Sequence, residues 1–392
     1  VGWALAVLGV VGIDLWVPES NTFYSIFVNP HFPLAEALML VVFLSAAAPL
    51  GGIHTIEPRP RGGAPGRAVG RWALCVLASL ALACVQPFGL LVVYRVLGLF
   101  LLWRSGTEHR RLVSAWLRTF SAGVASLPLL VYYLDVSRND PVLAAWAAQN
   151  VTPTPAPWVV LAGYGYLVVL ALLGVVWCAR RRRGLFLVMW VGVNAVLLYA
   201  PFALQRRLLL GFHVPVALLA AFGVIGVLWE WLPAQRRAVS LVALLTVLPT
   251  TLLVLLVQVM GVLQAQWPLY ITSEERGAIA WLAEETNSSE LVLASPKMGL
   301  MIPAWSGNRV IYGHPFETVR AEERKAAAEG FFSGDVEPGD LLSEYDVDYV
   351  FVGPHERALG DAAIDWAAAS GGVAVYSSPE VTIYRVSRRS PE

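Results

Sequence analysis

The feature that most restricts this chain is a succession of long, almost uncharged apolar runs. They lie near residues 1–13, 34–50, 72–103, 119–134, 158–178, 185–203, 210–232 and 239–263. A helix needs roughly 17–25 predominantly apolar residues to cross a hydrocarbon core of ~30 Å. Backbone in lipid must also satisfy its own hydrogen bonds, so runs of this kind fold as helices. The predicted fold is mostly α, a polytopic transmembrane helical bundle over residues 1–264, followed by a small α/β domain over residues 265–392. Composition excludes the alternatives. Hydrophobic residues make up 57%, charged residues only 14%, and mean hydropathy is +0.61, whereas an ordinary soluble domain is about 25% charged. A soluble globular enzyme is ruled out for most of the length. Zero net charge, with no dense basic block, gives no footprint for nucleic acid.

The run from Trp72 to Trp103 is too long for one crossing, since at about 1.5 Å per residue it would reach ~48 Å. Gln86-Pro87 in its middle joins a polar residue to a helix breaker, and predicts two helices with a tight turn between them. Charge supports the hairpin. Arg59, Arg61, Arg67 and Arg71 precede it, and Arg104, Arg110, Arg111 and Arg118 follow it. Under the positive-inside rule both flanks are cytoplasmic, which requires the chain to enter and return on one side. The same parity places Arg180–Arg183, Arg236 and Arg237 inside. Asp14–Pro33, the Gln86-Pro87 turn, Asp135–Pro157, Gln205-Arg206-Arg207 and everything after about Gln264 then lie outside. Cys75, Cys84 and Cys178 all fall in apolar runs without metal-ligand spacing, and read as packing residues. Val1 opens within an apolar run, without initiator methionine or signal-peptide pattern. The expectation is that an amino-terminal part is missing.

Two of the outer segments carry chemistry. In the loop Asp14-Leu15-Trp16-Val17-Pro18-Glu19-Ser20-Asn21-Thr22-Phe23, running on to Asn29-Pro30-His31-Phe32, carboxylates, a histidine, amides and aromatic rings are concentrated. Hydroxyls need acceptors and the apolar faces of a sugar need ring platforms, so Asp14, Glu19, Asn21 and His31 are candidates for contact with a saccharide. Asp14 ends an apolar run, where an ionisable group is costly unless it is paired or lines a cavity. It is the leading candidate for a functional acid. Its rival reading is a solvated loop with interfacial aromatic residues. The basic pair Arg206-Arg207 lies on the face where arginine is scarce. It either snorkels to headgroups or grips an anionic phosphate through planar, bidentate guanidinium geometry.

From Ile271 the composition becomes that of a soluble domain. Thr272 and Glu275 have capping-box spacing ahead of an amphipathic helix. Strand-like runs follow at 291–294, 309–312, 349–352, 373–376 and 381–386, with helical stretches near 321–332 and 361–369. The tail has no GxGxxG after its first strand, no Walker A sequence and no GxSxG elbow. Nucleotide binding and serine hydrolysis therefore have no support. Gly313-His314-Pro315-Phe316-Glu317-Thr318 follows a strand end, a usual place for ligand contacts. His314 and Glu317 are candidates there, against the structural reading of a histidine beside a glutamate.

With the loop DLWVPESNTF…NPHF, the hairpin at Gln86-Pro87, the segment QRRLLLGFHVP and the tail motifs NRVIYGHPFET and DVDYVFVGPHER, the chain resembles polytopic glycosyltransferases of the GT-C superfamily, in particular bacterial polyprenyl-phosphate-sugar-dependent members. The resemblance covers most of the chain with moderately specific motifs. It implies an integral protein of the bacterial plasma membrane with its carboxy-terminal domain extracytoplasmic. It also implies transfer of a sugar from a polyprenyl-phosphate donor to an extracytoplasmic acceptor, with inversion. The family's catalytic acid lies in its first outer loop, which on this reading precedes Val1, so no catalytic residue is carried over. Asp14, Glu19, Asn21 and His31 become contributors to the substrate cavity, and Gln205, Arg206 and Arg207 candidates for the donor phosphate. The expected partners are the lipid-linked sugar donor and membrane lipids. No cofactor is assigned, although positive charge or a divalent metal ion must stabilise the leaving phosphate. Two rivals stand beside this reading. One is a transporter or flippase of lipid-linked saccharide, for which there is no internal repeat and only Arg95 as a clear membrane-embedded charge. The other is a non-catalytic envelope scaffold.

Overall fold

A computed structural model describes residues 9–47, 65–105, 109–370 and 372–387, apart from the side chains of Pro65, Arg67, His109, Arg110, Arg111 and Ser370. Most of the expected span at 1–13, with Arg59 and Arg61, lies outside the described residues. The chain divides into two compact units, Val1–Val136 with Val151–Gln258 and Ser137–Asn150 with Val259–Glu392. The stretch 137–150 thus groups with the tail. The sequence marks Asp135–Pro157 as a polar segment between apolar runs, but nothing in it assigns 137–150 to the tail.

The first unit is helical. Short 3-10 turns at Ile13–Leu15 and Pro18–Ser20 lead into α1 (Thr22–Val28), whose first turn is capped by the Asn21 side chain, which accepts from the Phe23 and Tyr24 amides. There follow α2 (His31–Ala47), α3 (Pro65–Val85), α4 (Phe88–Arg104) and α5 (His109–Asn139). The break between α3 and α4 falls at Gln86-Pro87, as the sequence predicts. The two helices pair antiparallel. The Tyr94 hydroxyl donates to Ser79 Oγ at 2.9 Å, and Leu82 lies against Gly89. Arg118, buried on α5, donates to the Ala46 carbonyl at 3.0 Å and so satisfies a group in the last turn of α2. Arg95 is exposed on α4 and reaches back toward the Leu91 carbonyl.

After α6 (Pro141–Gln149) come α7 (Pro157–Tyr164) and α8 (Tyr166–Arg181), bent by 87°. The single straight span expected over 158–178 is therefore two helices. The bend sits at Gly165, with φ 51° and ψ −134°, a backbone region that a side chain would forbid. The run 185–203 is likewise shorter than expected. α9 covers Leu185–Leu197, and the chain leaves the helix before a 3-10 turn at Gln205–Leu209. α10 (His213–Gly223) continues through a π turn at Val224–Leu228 to Trp231, and α11 spans Arg236–Leu263. α8 and α10 meet backbone to backbone. A Cβ on Gly174 would stand 1.8 Å from the Leu219 carbonyl oxygen, and one on Gly223 would stand 2.1 Å from that of Leu170. Small residues at such a crossing let helices gain dispersion and dipolar contact without a hydrophobic driving force. Among the described residues four helical segments are long and apolar enough to cross a membrane, Ala68–Val85, Leu112–Asn139, Gln205–Trp231 and Pro233–Leu263, or five if the bent α7–α8 pair is one span.

The second unit holds the five strands the sequence predicts. α12 (Ser273–Glu285) starts with both halves of the Thr272/Glu275 capping box in place. Then follow β1 (Leu291–Leu293), α13 (Met298–Ser306), β2 (Arg309–Val310), α14 (Ala321–Ser333), α15 (Pro338–Glu344), β3 (Tyr349–Val352), α16 (Pro354–Arg357), α17 (Ala362–Ser370), β4 (Val373–Ser377) and β5 (Thr382–Arg385). The sheet order is β2-β1-β3-β5-β4, with β2, β1 and β3 parallel and β5 and β4 antiparallel to their neighbours. Side chains alternate across it. Leu291, Leu293, Val350 and Val352 pack with Phe331, Phe332 and Trp366, while Val292, Tyr349 and Phe351 pack with Ile279, Leu282 and Ile302. Helices cover both faces, which explains why β1 and β3 read as unbroken apolar runs.

The chain leaves β1 for β2 on one side and returns to β3 on the other, so the crevice of this sheet lies beyond the carboxyl ends of β1 and β3. The protein's own Glu356 fills it. Fully buried, it accepts from the Ser295 amide at 2.8 Å and the Gly353 amide at 2.9 Å. Burial pushes its carboxyl above the usual range, against the downward pull of those bonds. A folded value above the unfolded one means that this group favours the fold most fully below about pH 4.3 and that its contribution is lost as pH rises through the folded value. Glu356→Ala should flatten that part of the pH–stability curve. At neutral pH it should cost about 2–4 kcal/mol, because two buried amides lose their acceptor. Hydrogen exchange of the Ser295 and Gly353 amides in the full chain checks this, and unchanged protection would refute the latch.

Candidate functional site

The Asp14–Phe32 loop and the 205–213 segment, almost two hundred residues apart, meet in the helical unit. Two devices shape the second of them. Asn194, fully buried on α9, donates from Nδ2 to the Leu208 carbonyl at 2.7 Å, and Gly211 takes φ 76° to turn the chain into α10. Gly163 on α7 shapes the first. A Cβ there would lie 2.6 Å from Ile13 Cγ1, so only glycine lets α7 close on the Ile13–Leu15 turn.

Three carboxylates are held in this layer. Asp14, 4% exposed, accepts through Oδ2 from the Thr250 hydroxyl at 2.6 Å; Thr250 is one of two buried residues on α11. Glu19, 1% exposed, has Oε1 at 3.3 Å from the Arg207 guanidinium, while Oε2 is buried without a hydrogen-bond partner among the described residues. Glu36, 4% exposed, accepts from the Thr22 hydroxyl at 2.8 Å, with the Gly211 amide also beside it. Tyr164 stands among them. Its hydroxyl donates to the Ser20 carbonyl at 2.9 Å and its ring stacks on His213 at 6.3 Å. Glu36, Thr250, Tyr164 and His213 were not picked out in the sequence. Glu36 had a readable signal, being an acid inside an apolar run; the other three had none.

The remaining candidates take defined places. Asn21 spends its side-chain oxygen on the α1 cap. His31 is exposed at the start of α2, its ring 4.4 Å from that of Phe32, within reach of the charges of Arg207 and Glu19. Gln205 braces the loop, accepting from the Thr154 amide and donating to the Ala200 carbonyl. Arg206 and Arg207 do not act as one fork. Arg206 lies over the Trp16 ring at 5.6 Å, whereas Arg207 lies over Phe32 at 5.7 Å and turns to Glu19.

His314 and Glu317 belong to the second unit, at the carboxyl end of β2, beside a cleft of about 660 Å³ that also takes in Arg320 and Arg324. There they organise a turn and anchor α6. His314 Nδ1 accepts from the Phe316 amide at 3.1 Å, and Glu317 accepts from the Trp146 indole at 3.0 Å. Gln149 and Asn150 donate to the Thr318 and Phe316 carbonyls. Among the described residues no group of three or more histidine, cysteine or acidic side chains could hold a metal ion.

No protein-family model matches the chain, and no curated protein matches it.

Proposed function

We propose that the chain is part of an integral membrane glycosyltransferase of GT-C type, which moves a sugar from a polyprenyl-phosphate donor to an acceptor at the extracytoplasmic face of a bacterial plasma membrane. The observation that carries this reading is the layer of buried carboxylates Asp14, Glu19 and Glu36, with Arg207 paired to Glu19, in a helical unit whose core is mostly apolar. Taking such groups out of water is costly, and a fold that needed them only for stability would do as well with apolar residues of similar volume. In this reading Asp14 and Glu19 accept hydrogen bonds from sugar hydroxyls. Arg207, whose side chain is 30% exposed and anchored by Glu19, meets the donor phosphate as negative charge develops on the leaving oxygen.

The test is transfer of radiolabelled sugar from polyprenyl-phosphate donor by right-side-out vesicles carrying the full-length gene product. Wild type should transfer, and Arg207→Lys, which keeps the charge but loses the fork, should raise the donor KM about tenfold. Absence of transfer with every polyprenyl-phosphate sugar, in protein of normal yield, would move the weight to the transporter or scaffold.

A further inference from the structure

The 87° elbow between α7 and α8 leaves a groove of about 270 Å³ whose walls come from α7, α8, α9 and α10 and whose lining is wholly apolar. Leu161, Ala171, Leu172, Ala195, Phe212 and Val216 represent its four walls. Leu161 and Leu172 are 56% and 59% exposed, so the groove opens on the flank that faces hydrocarbon if these helices span. At one end the lining reaches Pro157 and Tyr199. There the chain becomes polar. The Tyr199 hydroxyl donates to the Pro155 carbonyl, the Thr154 amide to Gln205, and the Arg206 amide to the Thr152 carbonyl. These bonds tie the Arg206 backbone to the 152–155 segment, which runs on to Pro157 at that end of the groove. The Arg206 Nε is buried without a hydrogen-bond partner among the described residues, and its guanidinium lies over the half-exposed Trp16 ring.

A slot with apolar exposed walls, near an arginine whose Nε has no hydrogen-bond partner among the described residues, matches a molecule with a hydrocarbon tail and a negative head. We infer that this groove is a binding site for one acyl chain of an anionic phospholipid, with Arg206 at its phosphate. The groove shares the Tyr164 side chain with the Asp14–Glu19–Arg207 layer, but the inference does not depend on the transferase reading. The bound chain lies against side chains of both arms of the elbow at Gly165.

Native mass spectrometry of the full-length protein, delipidated in mild detergent and reloaded with phosphatidylglycerol or phosphatidylcholine, tests the inference. Wild type should retain one phosphatidylglycerol per protein in preference to phosphatidylcholine. Ala195→Trp, which fills the groove from its exposed wall, should lower retention at least tenfold. Arg206→Gln should keep binding but lose the preference for the anionic head. Equal retention by Ala195→Trp and wild type would overturn the site. Displacement of phosphatidylglycerol by polyprenyl phosphate at equimolar level would overturn its assignment to phospholipid, and give the groove to a polyprenyl chain. Neither outcome touches the transfer assay, so the two readings fail separately.

Discussion

Replacing Gly174 by alanine should unfold the helical unit at temperatures where wild type is intact. One added methyl carbon would sit 1.8 Å from the Leu219 carbonyl oxygen and 2.7 Å from its carbon, distances that only a shift of whole helices can relieve. Neither partner is a flexible side chain that can swing away. Overpacking of this kind costs about 1–3 kcal/mol when side chains can adjust, and more when backbone must move, so a loss of about 3 kcal/mol or more is expected. Gly192 on α9 is the matched control, since a Cβ there meets nothing within 4 Å. Gly192→Ala should be neutral, or gain up to about 1 kcal/mol from helix propensity. Thermal midpoints of the two variants in the same detergent decide the matter, and similar midpoints would mean that α8 and α10 do not approach so closely.

On the transferase reading, Asp14→Asn should leave the fold nearly unchanged while lowering sugar transfer by on the order of 10-fold to 10²-fold, roughly 1.5–3 kcal/mol for a lost hydrogen bond between a charged group and a sugar hydroxyl. Asparagine keeps the shape of the side chain and an oxygen to accept from Thr250, but loses the negative charge. Thr250→Val serves as the comparison. It removes the 2.6 Å hydrogen bond to Asp14 and leaves the carboxylate charged, so it should lower the midpoint more than Asp14→Asn does and transfer less. The reverse order would make Asp14 a structural partner of α11 and nothing more.

Much of the architecture was legible in the sequence. The apolar runs are long and nearly free of charge, and hydropathy registers both properties residue by residue. The hairpin at Gln86-Pro87 could be read because a breaker and a length limit coincide there. The five strands of the second unit and the Thr272/Glu275 cap were legible for the same local reason, since alternation, turn residues and capping need no knowledge of distant partners. The bend at Gly165 was not legible. Glycine is common in membrane helices, and what makes this one an elbow is its φ of 51° and ψ of −134°, which only the tertiary structure shows.

The candidate site divides in the same way. Residue type alone brought forward Asp14, Glu19 and the arginine pair, because ionisable groups at the end of an apolar run or on an arginine-poor face are costly wherever they fold. Only the tertiary structure decided that Glu19 pairs with Arg207 across 188 residues, that Arg206 turns the other way, and that Thr250, 236 residues on, meets Asp14. It also reassigned Glu317 to an indole on α6. The physical reason is one of range. Burial, helix propensity and capping depend on neighbours in sequence, whereas the partner of a buried charge depends on which backbones can approach, and here glycines at 163, 174 and 223 set that approach.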